Sequence, residues 1–99
     1  MLARLTRYEG GDPSKVDEAV EHKKNVLPTE PGQVEGMRGA IFFADRANGT
    51  ILTLSLWEDA DALAASEEMA DRLREELTAE GETATVETFE VAQLSITQP

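Results

Sequence analysis

The stretch from Gly39 to Leu77 leaves this chain few ways to fold. An apolar run, Gly-Ala-Ile-Phe-Phe-Ala, meets the turn residues Asp45-Arg46-Ala47-Asn48-Gly49. A second run, Thr50 to Trp57, alternates strictly: Leu52, Leu54 and Leu56 share one side, Ile51, Thr53, Ser55 and Trp57 the other. A period of two is the mark of a strand, and Asn48-Gly49 is where a positive φ is expected. Asp59 then stands as the N-cap of a helix, with Asp61 in its first turn to complement the macrodipole. Leu63, Ser66, Met69/Ala70, Leu73 and Leu77 recur at helical spacing, and Gly81 lies just past the end. The segment therefore reads as a hairpin that feeds a covering helix.

The flanks complete the pattern. Leu2 to Tyr8 reads as a strand closed by Glu9-Gly10-Gly11. Asp12-Pro13 supplies a cap and a proline suited to the first helical position. The stripe Val16, Ala19, Val20, Lys23 and Val26/Leu27 runs until Pro28, and Thr29 to Gly32 is a loop. The second strand is expected over Gln33 to Ala44, with irregularity at Gly36 and Gly39. The last strand is expected over Thr83 to Leu94, and Ser95 to Pro99 as a loose tail. The order is βαββαβ. With right-handed crossovers it makes an α+β, ferredoxin-like domain: one four-stranded antiparallel sheet with two helices on one face. Ninety-nine residues make a single domain, residues 1–99.

Both faces of the hairpin are rich in apolar groups. Ile41, Phe42 and Phe43 are consecutive, and neither side of Thr50 to Trp57 alternates to charge. Helices cover one face only, and an uncovered face of this kind marks an association surface. The expected assembly is a homodimer with its sheets packed face to face.

Charge and composition exclude several functions. The net charge is −11. Residues 1–57 hold 8 acidic and 7 basic side chains, and residues 58–99 hold 12 acidic ones against Arg72 and Arg74. No basic stripe is present, so no nucleic-acid partner is expected. The acidic excess reads as a solvated helix face. No run approaches the roughly 20 apolar residues of a membrane span, so no membrane partner is expected either. The start, Met1-Leu2-Ala3-Arg4, lacks a signal-peptide layout, and a cytoplasmic location is expected. There is no cysteine, and one histidine alone makes no metal site, so no metal is expected. His22, beside Glu18 and Glu21 and off the Val16/Val20 stripe, reads as a solvated or edge residue rather than a base.

The hairpin from Asp45 through Asn48-Gly49, Leu52-Thr53-Leu54-Ser55-Leu56-Trp57-Glu58-Asp59 and the Ala/Leu-rich helix resemble the antibiotic biosynthesis monooxygenase-like family of the dimeric α/β-barrel superfamily. Leu2 to Tyr8 and Val86 to Val91 are also similar. The resemblance spans nearly the whole chain. It implies a dimeric barrel built of two sheets, with a pocket beside each. Some members oxidise aromatic polyketides with oxygen and no metal or flavin; others degrade haem. The haem-degrading members use an Asn on the first strand and a Trp and a His on the second helix. Leu2 to Tyr8 has no Asn, and Ala60 to Leu77 has neither Trp nor His, so haem degradation is unsupported. The quinone-forming members carry an Asn four residues before the Trp, where this chain has Thr53.

The implied activity is a cofactor-independent monooxygenase acting on a small aromatic, quinol- or polyketide-like substrate. The alternative is a non-catalytic ligand-binding or structural dimer of the same fold. The candidate pocket residues are Trp57, Arg38, Tyr8 and Thr53. Trp57 either walls a pocket, its indole N–H orienting a substrate oxygen, or plugs the end of the core. Arg4, Arg7 and Arg38 stand inside strands, where a charge needs an edge, a surface or a pocket. Arg4 shares its side with Thr6 and Tyr8. With Trp57 these suit a phenolate or carboxylate, or else the arginines pair with acids across a subunit boundary.

Overall fold

The computed structural model describes residues 1–30 and 32–97. Strand β1 (Leu2–Glu9) leads through a 3-10 turn (Pro13–Lys15) into helix α1 (Val16–Val26). Strands β2 (Met37–Asp45) and β3 (Thr50–Trp57) form the hairpin. Helices α2 (Ala60–Ala65) and α3 (Glu67–Leu77) follow, and β4 (Thr83–Glu90) closes the sheet. The sheet order is β2-β3-β1-β4, with all pairs antiparallel. This is the ferredoxin-like α+β arrangement. Among the described residues, no helix is long and apolar enough to cross a membrane.

Local chemistry explains most boundaries. The Asp12 carboxylate accepts from the Ser14 N–H at 2.9 Å, and Asp59 accepts from the Ala62 N–H at 2.9 Å. Each satisfies a donor that a helix start leaves free. In the hairpin turn Asp45 accepts from the Asn48 backbone and side chain, and only Gly49 takes a positive φ, +70°. Gly49 is also where the turn meets Gly11, and a side chain there would collide with the Gly11 carbonyl.

Three expectations are corrected. First, β2 begins at Met37 rather than Gln33. The Gln33 side-chain oxygen accepts from the N–H groups of Thr29 and Glu30, and Gly36, at φ +80°, offers its carbonyl to Glu58. Those bonds hold residues 33–36 in turns. Second, β4 ends at Glu90 rather than Leu94. Its partner β1 begins at Leu2, opposite Glu90, so only the link from Val91 N–H to the Met1 carbonyl remains beyond it. Residues 95–97 carry no regular structure, while 98 and 99, the rest of the expected tail, lie outside the described residues. Third, the helix expected from Ala60 to Leu77 is broken at Ser66. Its N–H is shared between the carbonyls of Ala62 and Leu63, and its hydroxyl donates to the Leu63 carbonyl at 2.7 Å. Serine competing for a carbonyl one turn back interrupts a helix.

The helices cover the side of the sheet that bears Tyr8 and Ile51, where Val16 and Leu77 complete a buried cluster. By register Arg4, Thr6, Thr53, Ser55 and Trp57 share that side. The opposite side carries Leu5, Leu52, Leu54 and Leu56 with Ile41 and Phe43 from β2 and Phe89 from β4. The central strands are thus inverted. Their covered face is rich in polar groups, while their open face is leucine-rich.

Candidate functional site

That inversion opens a cavity between sheet and helices. It offers about 60 Å³ to the centres of water-sized spheres, room for a few waters or a small organic group. Strand β1 contributes Arg4, Thr6 and Tyr8, and β3 contributes Thr53, Ser55 and Trp57. Apolar walls come from Met37 and Phe42 on β2 and from Met69 and Leu73 on α3. Arg74, also on α3, completes the polar set. Among the described residues, no carboxylate and no imidazole lines it.

Arg4 is 7% exposed and is held from three sides. Its Nη2 donates to the Leu63 carbonyl at 3.1 Å and to Ser66 Oγ at 3.1 Å. Its guanidinium carbon lies 5.5 Å from the centre of the Trp57 ring. The break at Ser66 therefore has a consequence: it supplies the hydroxyl that fixes Arg4. Burial pulls the Arg4 pKa below its ordinary value, Glu67 opposes this, and Arg74 adds to it. Trp57 is 2% exposed, and its Nε1 donates to Ser55 Oγ at 2.8 Å. The indole thus presents its face, not its N–H, to the neighbouring cation.

Tyr8 is 1% exposed, and Lys23 Nζ sits 4.4 Å from its ring centre. Burial raises its hydroxyl pKa to about 12, with Arg74 pulling it down and Glu82 pushing it up. Because the folded value exceeds the unfolded one, near 10, this group's contribution to stability is complete below pH 10. It is lost as pH climbs through about 12. Tyr8 is the chain's one tyrosine, so an absorbance titration at 295 nm reads it cleanly. The expected midpoint lies near 12 in the folded protein; a midpoint near 10 with the fold intact would show a solvated hydroxyl.

Of the four candidates from the sequence, the structure brings Trp57, Tyr8 and Thr53 to this one cavity. Arg38 lies outside it. On β2, residues 40 and 42 face the cavity, and unbroken alternation would turn residue 38 the same way. A register shift between Met37 and Gly39 leaves Arg38 as the extra residue, and Met37 lines the cavity instead. The Arg38 side chain is 55% exposed and paired with Glu58 at 2.6 Å. Sequence reasoning passed over Arg74, although it sits four residues after Ala70 and three before Leu77, in step with the buried stripe. Its Nη1 donates to Asp71 at 2.9 Å. Its Nε is a buried nitrogen with no hydrogen-bond partner among the described residues.

A second, more open depression of about 450 Å³ lies along α1, with Lys15, His22 and Lys23 facing Glu80 and Glu82. His22 is exposed there. Among the described residues, no three His, Asp or Glu side chains converge as a metal site.

Solved structures with this topology include SnoaB, a cofactor-independent oxygenase from Streptomyces nogalater, at 15% identity over 94% of each chain and a TM-score of 0.59. The chain has the fold of the antibiotic biosynthesis monooxygenases. The ActVA-Orf6 monooxygenase of Streptomyces coelicolor, in complex with nanaomycin D, matches at 17% identity, with 96% of this chain and 92% of that one covered and a TM-score of 0.60. A dimeric ferredoxin-like protein from an uncultured marine organism matches at 9% identity, with 98% and 100% covered and a TM-score of 0.65. At identities this low the likeness is one of fold. No family model matches the chain, and no curated protein is similar to it in sequence.

Proposed function

We propose that the protein takes a small aromatic, quinol- or polyketide-like molecule into this cavity and oxygenates it with O2 and no cofactor. The observation that carries the reading is the lining itself: a mostly apolar chamber with Arg4, Tyr8 and Arg74 on its walls. In such a reaction a ring CH2 becomes C=O, one oxygen atom of O2 entering the product and the other leaving as water. All the electrons come from the substrate. The protein's part is to orient the ring and to stabilise the enolate or carbanion that meets oxygen, a task suited to fixed cationic donors at low dielectric. The fold shared with SnoaB supports this reading. A homodimer closed through the open sheet face, in the cytoplasm, belongs to it as well; Ile41, Phe43 and Phe89 would otherwise remain 40–48% exposed.

Aerobic incubation with anthrone tests the reading. Oxygen uptake above the rate with heat-denatured protein, one O2 consumed per quinone formed, is the expected result. The lack of a carboxylate or imidazole in the lining favours a second reading, a binder with no general base. Thermal stabilisation by anthrone without uptake would select it and overturn the first.

A further inference from the structure

The sign of the cavity runs against the sign of the molecule. The chain holds 20 acidic side chains against 9 basic ones, yet among the described residues the only charged groups lining the cavity are Arg4 and Arg74. Glu67 and Asp71, which act on Arg4 electrostatically, stand outside the lining. Arg4 already has fixed partners. Arg74 does not: its Nε is buried and unmatched, a costly state for a donor on a charged group. Its bond to Asp71 is to a side chain 70% exposed, an ion pair of the weak surface kind. Arg74 also walls a surface depression with Asp71, Glu75, Thr78 and Ala84, so it stands between the cavity and the outside.

The geometry points to an anion subsite at Arg74, backed by Arg4, that takes the carboxylate of a small aromatic acid while the ring lies against Phe42 and Trp57. This rests on the cavity being the ligand site proposed above. A guanidinium fork matches a carboxylate with two parallel hydrogen bonds, and Nε together with one Nη is such a fork. A phenol fits less well, because burial raises its pKa further above neutrality, whereas an aromatic acid arrives already ionised. The bond to Asp71 is made by Nη1, which leaves the Nε side of the guanidinium to the ligand.

Benzoate and benzamide, nearly equal in shape and different in charge, provide the test. Titrated into the wild-type protein, benzoate is expected to bind at least about tenfold more tightly. It is also expected to shift the Arg74 Nε–H resonance in spectra of 15N-labelled protein. Arg74→Gln should abolish the preference, and Arg74→Lys, which keeps the charge without the fork, should recover only part of it. Equal affinities, no benzoate binding, or an unmoved Nε–H signal would overturn the subsite. The wild-type signals decide the matter even if a variant folds poorly. Failure here with oxygen uptake intact removes the subsite alone. Charge discrimination without uptake removes the oxygenation alone.

Discussion

Replacing Glu82 with alanine is expected to destabilise the protein by about 3–5 kcal/mol, the usual cost of stranding a buried charge. Lys23 and Glu82 have side chains only 2% and 3% exposed and lie 3.4 Å apart. Lys23 Nζ also approaches the Leu77 carbonyl at 3.4 Å, and Glu82 Oε1 accepts from the Ala79 N–H at 3.1 Å. Removing the carboxylate leaves the ammonium with one long bond and the ring of Tyr8. For a domain whose whole stability is about 5–15 kcal/mol, that is a large share. The check is a urea midpoint read at unchanged slope. A loss under about 1 kcal/mol would show that water reaches Lys23. The double variant Lys23→Met with Glu82→Leu is expected to lose far less, since no charge is left unpaired. Tyr8 makes this pair matter to the site: the cation lies under one wall of the cavity.

Phe43→Asp is expected to convert the proposed dimer to monomers at micromolar concentration without unfolding the subunit. Phe43 is 44% exposed in the single chain and pairs with Leu52 across the open face, so a carboxylate there is hydrated in the monomer. In a face-to-face dimer it would be buried without a partner. Losing a central aromatic anchor and burying a charge together are worth about 3 kcal/mol or more, roughly a hundredfold or greater rise in Kd. Light scattering coupled to gel filtration reads the outcome. A wild-type protein already of one-subunit mass, or a variant unchanged in mass, would overturn the sheet-to-sheet assembly.

Arg38 and Arg74 show how far a site can be read before the chain is folded. Strand parity placed Thr53 beside Trp57 and Arg4 beside Tyr8, because a period of two survives as long as the ladder is regular. For Arg38, chosen only as a charge inside a strand, parity gives no guide, because one extra residue between Met37 and Gly39 reverses every side chain before it. The hints were Gly36 and Gly39, which flank the irregularity. Arg74 was legible in principle from its spacing with Ala70 and Leu77. A charged residue in an acidic helix nevertheless reads first as a solvated one. Ser66 had a buried position in the helical stripe, but its role as a donor-sharing break that fixes Arg4 depends on a strand more than sixty residues away in sequence.

The chain's own alternation, caps and turn residues determined the order βαββαβ and the third strand to the residue. These are local properties, decided within a few residues by periodicity and by the hydrogen-bonding needs of helix ends. Only the tertiary structure decided which side of that sheet the helices cover. Both sides of β3 carry bulky apolar groups, so neither was marked in advance. The packing of Val16 and Leu77 on Tyr8 and Ile51 made the choice, and it turned the polar side inward. The cavity, its two guanidiniums and the leucine-rich open face all follow from that choice.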